Sequence, residues 1–181
     1  MKFSRQIILK NGKTALLRNG EKADGAAELE IFNRTHEETD FLLSYADENS
    51  FSGEMEGDFL QKKAESENEI EILAVVDGRV VGTAGIEAIG AKYKVKHRAD
   101  FGISILREYW GLGIGKALTE ACIECAKEAG YTQLELSVVA ENEQAVSLYR
   151  KEGFAEYGRN PRGFLSRITG YQELIYMRRE L

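Results

Sequence analysis

The sequence predicts an α/β fold of the α+β kind: one mixed, mostly antiparallel central sheet of about seven strands, accompanied by about four helices. Three observations carry this. Apolar residues recur with period two in several short segments and with helical spacing in others. Asp77-Gly78 separates two runs rich in β-branched residues, the strongest short hairpin signal. Only the helical stretch from Lys116 to Ala129 sits where a crossover between parallel strands is needed, so the sheet is not doubly wound.

The elements follow in chain order. KTALLRN, Lys13 to Asn19, reads as a strand. Ala23 to Tyr45 places Ala27, Ile31, Phe32, Leu42 and Leu43 at spacings that suit helix better than strand. A second helix is expected in GEMEGDFLQKKAESEN. Glu69 to Gly90 forms the two runs around Asp77-Gly78. His97 to Leu106 alternates, with Phe101, Ile103 and Ile105 on one face and Asp100, Gly102 and Ser104 on the other. The helix from Lys116 carries Ala117, Leu118, Ala121, Cys122, Cys125 and Ala129 as its apolar stripe, and Gly130 ends it. TQLELSVV is a strand. Asn142 caps a helix that runs to Glu152, with Arg150 and Lys151 suited to its C-terminal dipole and Gly153 to its end. GFAEYG and GYQELIYMRR are the last two strands.

The 181 residues fit a single domain, 1–181, with a core from about residue 14 onward, and are enough to bury a core without disulfides or metals. No repeat or low-complexity tract appears, and Pro161 is the only proline. Asp and Glu outnumber Lys and Arg by 30 to 24, for a net charge of −6, and no basic block reads as a nucleic-acid stripe. The apolar stretch near Ile7 to Leu9 is short for a signal peptide, and no run approaches a membrane span. Two cysteines make no disulfide framework, so a cytoplasmic setting is expected, with neither nucleic acid nor membrane as partner. Cys122 and Cys125, in mid-helix with no second pair, read as core rather than metal or redox groups. His36 and His97 lie far apart in the chain, and no metal constellation appears.

The segment YWGLGIGKAL, Tyr109 to Leu118, raises the functional question. Gly111, Gly113 and Gly115 alternate just before a helix. The first N–H groups of a helix lack backbone partners and sit at the positive end of its dipole, which suits a phosphate. A tight turn that binds nothing is the competing reading. A P-loop is excluded because Trp110 and Ala117 stand where Gly and Ser or Thr are required. A dinucleotide fingerprint fails because Lys116 takes the place of its third glycine.

This segment resembles the acetyl-CoA loop of the GCN5-related N-acetyltransferases, with Trp110 in the usual place of Arg or Gln, as in the branch that resembles the ribosomal-protein N-terminal acetyltransferases. LSVVAENEQAVSLYRKEGFAEYG, Leu136 to Gly158, resembles the family's second motif. The resemblance spans about Thr14 to the end. It implies strands that splay apart beside acetyl-CoA as co-substrate, with no metal. It also implies backbone pairing of pantetheine with Ile105, Leu106 and Arg107, and a pyrophosphate on amides of Leu112, Gly113, Ile114, Gly115 and Lys116. Asn142 caps its helix or bonds the pantetheine amide, and Lys151 either reaches the 3′-phosphate or is a solvated helix end.

The implied activity is acetyl transfer to a primary amine by direct attack through a tetrahedral intermediate. A backbone N–H from Ile105 to Arg107 would hold the oxyanion. Tyr149, a core aromatic on periodicity alone, matches the family's proton donor to the thiolate. Asp100, Glu87 and His97 are candidates for the base, as is ordered water. The alternatives are a non-catalytic acyl-CoA-binding module of the same fold and a transferase of longer acyl chains. In this family the first helices and the last hairpin line the acceptor site. Here they carry Glu28, Glu30, Glu37, Glu38 and Asp40, which suggests a cationic acceptor: a polyamine, an aminoglycoside-like amine or a protein N-terminus. Arg159, Arg162 and Arg167 either contact an anionic part of the substrate or, the preferred reading, belong to a solvated hairpin. A homodimer is compatible with all of this.

Overall fold

The computed structural model describes residues 1–181 as one eight-stranded sheet with four α-helices. The strands are β1 (Ser4–Ile8), β2 (Thr14–Asn19), β3 (Ile70–Val76), β4 (Arg79–Ala88), β5 (Arg98–Ile105), β6 (Gln133–Val139), β7 (Ala155–Ser166) and β8 (Gly170–Glu180). The helices are α1 (Gly25–Glu38), α2 (Gly53–Glu65), α3 (Ile114–Glu128) and α4 (Glu143–Lys151). The sheet order is β1-β2-β3-β4-β5-β6-β8-β7, and every neighbouring pair is antiparallel except β5 and β6, which α3 connects.

The mixed, mostly antiparallel sheet forms as expected; the strands, expected to number about seven, are eight, and one helix boundary is corrected. Ser4–Ile8 is a strand that pairs with β2, so regular structure begins before residue 14. Its residues are mostly exposed, and an edge strand with no buried face leaves no alternation to detect. The first helix stops at Glu38 instead of reaching Tyr45. Thr39 turns extended (φ −143°, ψ 150°), and the Tyr45 hydroxyl donates to Asp40 Oδ1 at 2.8 Å, which folds the segment back on itself. Leu43, counted with the helical stripe, is exposed.

The Asp77-Gly78 turn forms as expected, with φ of 50° and 80° at its two residues, the left-handed pair of a two-residue hairpin. The register of β3, β4 and β5 then sorts their side chains onto two faces. Ile70 pairs with Ile86 and Ile86 with Phe101, all buried on the side of α3 and α4. Glu71 pairs with Gly85, Gly85 with Gly102, Thr83 with Ser104 and Glu87 with Asp100 on the side of α1 and α2. Helices α1 and α2 lie close over that second face: a side chain at Gly25 would collide with the backbone of Gly53 and Gly57.

One feature of the sheet positions the site. Strands β5 and β6 pair only between Arg98–Asp100 and Gln133–Glu135. The Arg98 guanidinium clamps Glu135 at this closed end, with Nη2 donating to Oε2 at 2.7 Å. Beyond it, β5 continues to Ile105 and β6 to Val139 with no ladder between them.

Candidate active site

The unpaired halves of β5 and β6 form a gap that opens toward the glycine loop. At its mouth, Gly111 and Gly113 have φ of 74° and 102°, left-handed values that L side chains rarely adopt. Gly113 is the N-cap of α3, and no side chain caps that end. The Ala117 N–H is the first to be paired, to the Gly113 carbonyl; the N–H groups of Leu112 through Lys116 make no backbone bond. The loop is fixed from behind, because Lys10 N–H donates to the Leu112 carbonyl at 3.1 Å. Gly115 differs from the other two: a side chain there would only touch Ile105 and Leu148 at ordinary distance. Strain therefore accounts for Gly111 and Gly113 but not for Gly115.

The expected backbone donors divide sharply. The Leu106 N–H is taken by the Val81 carbonyl at 3.0 Å, and the Arg107 N–H by Glu38 Oε2 at 2.6 Å. Alternation along an antiparallel strand turns the N–H groups of Ile103 and Ile105 the other way, into the gap. The Trp110 indole N–H donates to the Ile105 carbonyl at 2.7 Å. Trp110, standing where the related motif has Arg or Gln, thus pins the end of β5 and leaves Ile105 with a free N–H.

On the α4 side, Asn142 accepts the Ala145 N–H at 3.2 Å as the expected cap, which leaves its amide NH2 group unused. Lys151 is exposed at the end of the helix. Tyr149 is buried, edge-on to Phe101 (ring centroids 6.1 Å apart) and beside Phe154 (5.9 Å). Burial raises its hydroxyl well above the ordinary phenol value, so it keeps its proton at neutral pH.

Asp100 lies at the branch point, the last residue of β5 paired with β6. Its side chain is open to solvent, yet surrounding protein displaces part of its water, and the carboxylates of Glu135 and Glu87 face it. Desolvation first and these charges second push it up to about 6. Glu87, its cross-strand neighbour, is exposed and bound by Lys63 Nζ at 3.1 Å, which explains an acid in an apolar run. His97 stands apart, in a polar cleft of about 330 Å³ at the closed end with Arg98, Glu135 and Tyr157.

The acids expected around the acceptor are mostly engaged elsewhere. Glu30 pairs with Arg79, Glu38 with Arg34 and the Arg107 N–H, and Asp40 with Tyr45 and Ser166. Only Glu28 turns toward the sheet, buried, with Oε2 lacking any partner. Sequence reasoning passed over its neighbour Glu71, although a Glu inside IEILAVV was visible. A cleft of about 490 Å³ lies between the segment after α1 and the β7–β8 hairpin, lined by Leu42, Leu43, Tyr45, Phe164, Leu165 and Arg167. Arg159 and Arg167 are paired within the chain, to Glu156 and Glu173 and to Asp47, and Arg162 lies over the Tyr171 ring. Cys122 and Cys125 are buried in the core as free thiols.

The chain is similar to known proteins in sequence and fold. The model of the acetyltransferase (GNAT) family matches residues 29–154. An L-amino acid N-acetyltransferase of Escherichia coli strain K12 is 31% identical over 60% of this chain and 67% of its own length. An N-alpha-acetyltransferase of Schizosaccharomyces pombe is 32% identical over 41% of this chain, which spans about half (49%) of that relative. Among solved structures, an acetyltransferase of the GNAT family from Streptococcus pneumoniae superposes with a TM-score of 0.88 at 33% identity, over 92% of this chain and 99% of that one. A ribosomal-protein-alanine N-acetyltransferase from Brucella melitensis gives 0.79 at 25% identity, over 91% and 99%. A phosphinothricin acetyltransferase from Sinorhizobium meliloti, solved with acetyl-CoA, shares the fold at a TM-score of 0.81 and 20% identity, over 92% and 88%.

Proposed function

The chain belongs to the acetyltransferase (GNAT) family, and on that premise we propose that it moves an acetyl group from acetyl-CoA to a primary amine by direct attack. The observation that carries the reading is the gap itself: the one place where two neighbouring strands part ends on five N–H groups without backbone partners. That arrangement fits a diphosphate joined to an extended, amide-bearing arm. The diphosphate would rest on Leu112 to Lys116 and the arm against the free edge of β5 at Ile103 and Ile105. The unused amide NH2 of Asn142 and the exposed Lys151 are the side chains within this frame for the arm and the 3′-phosphate.

The chain's own groups then suit each demand of the reaction. An ammonium has no lone pair, so Asp100, ionised above about 6, takes a proton from the acceptor. Glu87, held by Lys63, adds a negative charge that keeps Asp100 basic. The freed nitrogen attacks the thioester carbonyl carbon, and the oxyanion is held by the Ile105 N–H. The attached nitrogen gives its second proton to solvent as the intermediate collapses. When the carbon–sulfur bond breaks, the thiolate takes the proton of Tyr149, which solvent then restores, so that with the proton taken by Asp100 one proton is released in net per amide formed from an ammonium.

Thiol release from acetyl-CoA, measured across a panel of amines, tests the reading. Turnover should rise with pH through a limb near 6, and Asp100→Asn should lower kcat/KM by about 10² or more and remove that limb. Coenzyme A binding without thiol release from any amine would instead favour a binding module.

A further inference from the structure

The α1–α2 face of the sheet holds a carboxyl pair that the acetyl-transfer chemistry does not use. Thr83 donates its hydroxyl hydrogen to Glu71 Oε1 and lies beside the carboxyl of Glu28. Glu28 is 7% exposed with Oε2 unpartnered, and Glu71 keeps a partial opening to solvent. The nearby charges are accounted for. Lys63 of α2 is bound to Glu69 and Glu87, and Arg18 to Asp24. Glu56 of α2 is buried and, like Glu28 and Glu71, forms no salt bridge, although the charge of Lys63 reaches Glu71. Three carboxyls therefore lie close together with no cation bound directly to any of them, an arrangement that burial penalises.

The same row of the sheet is cleared of side chains. Glu71 leans from β3 across Gly85 of β4, where a Cβ would collide with its carboxylate. The next residue in the row, Gly102 of β5, is exposed, and a Cβ there would meet nothing. Past Gly102 lies the gap between β5 and β6. Strand spacing makes the path from the gap to Glu71 roughly 5–10 Å. It is floored by glycine, with Asp100 and Glu87 along one side and Ser104 and Thr83 along the other.

We infer that Glu71 and Glu28, bridged by Thr83, form a subsite for a second ammonium of the acceptor, so that the preferred substrate is a dication: a primary amine carrying another cationic amine at the far end of a flexible spacer. The inference rests on the acetyl-transfer reading and deepens it. The second ammonium supplies Glu28 Oε2 with its missing donor and the carboxyl cluster with a directly bound cation. Gly85 makes room for the Glu71 carboxylate itself, and Gly102 leaves the approach to it open for the spacer.

Calorimetry and thiol-release kinetics with α,ω-diamines of increasing length, each beside the monoamine of equal length, test this. Diamines whose spacer spans the glycine path should bind at least tenfold more tightly than their monoamines. Their binding should also release protons, seen as a dependence of heat on the buffer's ionisation enthalpy, because the cation drives the carboxyl pair to ionise. Glu71→Gln, and independently Glu28→Gln, should remove both the preference and the proton release. Equal affinity for diamines and monoamines, or a preference that both variants retain, overturns the subsite. Thiol release with wild-type protein separates the two readings. If monoamines turn over while diamines hold no advantage, acetyl transfer stands and the subsite falls. If no amine releases thiol, the transfer reading falls, while direct diamine binding and its proton release still decide the subsite.

Discussion

On the α3 side of β3, β4 and β5, Ile70, Ile72, Ala84, Ile86 and Phe101 are buried against one another and against helix α3. On the α1–α2 side, one residue away along the same strands, stand Glu71, Thr83, Gly85, Glu87, Asp100, Gly102 and Ser104. The backbone is common to both, and only the parity of the positions differs. The comparison teaches how a small domain places acids beside a core. One face supplies the stability, and the other can then hold groups that burial disfavours, provided each is paired, hydrogen-bonded or protonated. Glu87 is paired, Glu71 is hydrogen-bonded, and Asp100 sits at the branch point with its affinity for protons raised.

The largest expected effect tests that division directly. Phe101→Ala removes a ring that touches Tyr149 and Phe154 and should cost about 3–5 kcal/mol in urea unfolding. Asp100→Asn, the adjacent residue on the other face, should cost nothing at neutral pH and, because folding raises this carboxyl to about 6, should if anything stabilise slightly there, by less than the full shift implies because the side chain is exposed. Similar losses for the two would erase the contrast between the faces.

Next comes a hydroxyl on the apolar side. Tyr149→Phe keeps the packing against Phe101 and Phe154 but removes the proton proposed for the departing thiolate. It should lower kcat about 10²-fold, which is about 2.7 kcal/mol in the barrier, while leaving unfolding and the KM for acetyl-CoA nearly unchanged. An unchanged kcat would return Tyr149 to the core and leave the α3 face without a part in the chemistry.

The same parity explains what the sequence revealed. The alternation of Phe101, Ile103 and Ile105 against Asp100, Gly102 and Ser104 was legible because period two marks a strand with unlike faces. The glycines before α3 and the Asn142 cap were legible because they answer local backbone needs. Strand β1 was not, since it is held by pairing with β2 and shows no buried face. Neither were the occupied N–H groups of Leu106 and Arg107, because Val81 and Glu38 are distant in the chain. The acids of α1 read as one negative surface; Arg34, one turn away on the same helix, was visible as a partner of Glu30 and Glu38, but Arg79 and the Arg107 N–H, which the fold brings to Glu30 and Glu38, were not, nor was Glu28 facing the sheet. Local chemistry is written in neighbouring residues, whereas the partner of a charge is set by topology.

The smallest effect is the most discriminating, because it carries the opposite sign. Desolvation pushes Glu71 up to about 7, and the nearby Glu28 is raised by desolvation and by Glu71 itself. A carboxyl raised above its unfolded value, about 4.5, binds more protons in the folded state than in the unfolded one between those two values. Stability is then fully present below about 4.5 and is lost as pH rises through about 7. Glu71→Gln keeps the shape and the Thr83 contact but has no proton to lose. At pH 8 it should therefore unfold about 1–2 kcal/mol less readily than the wild-type protein, less than the full shift implies because Glu71 retains some water. Below pH 5 the two should converge. A variant with the wild-type slope would mean that Glu71 is not the group that titrates. The expected gain bears on the proposed subsite: a carboxyl that costs stability when ionised, yet is given room by Gly85 and a hydrogen bond by Thr83, is what a site for a second ammonium requires.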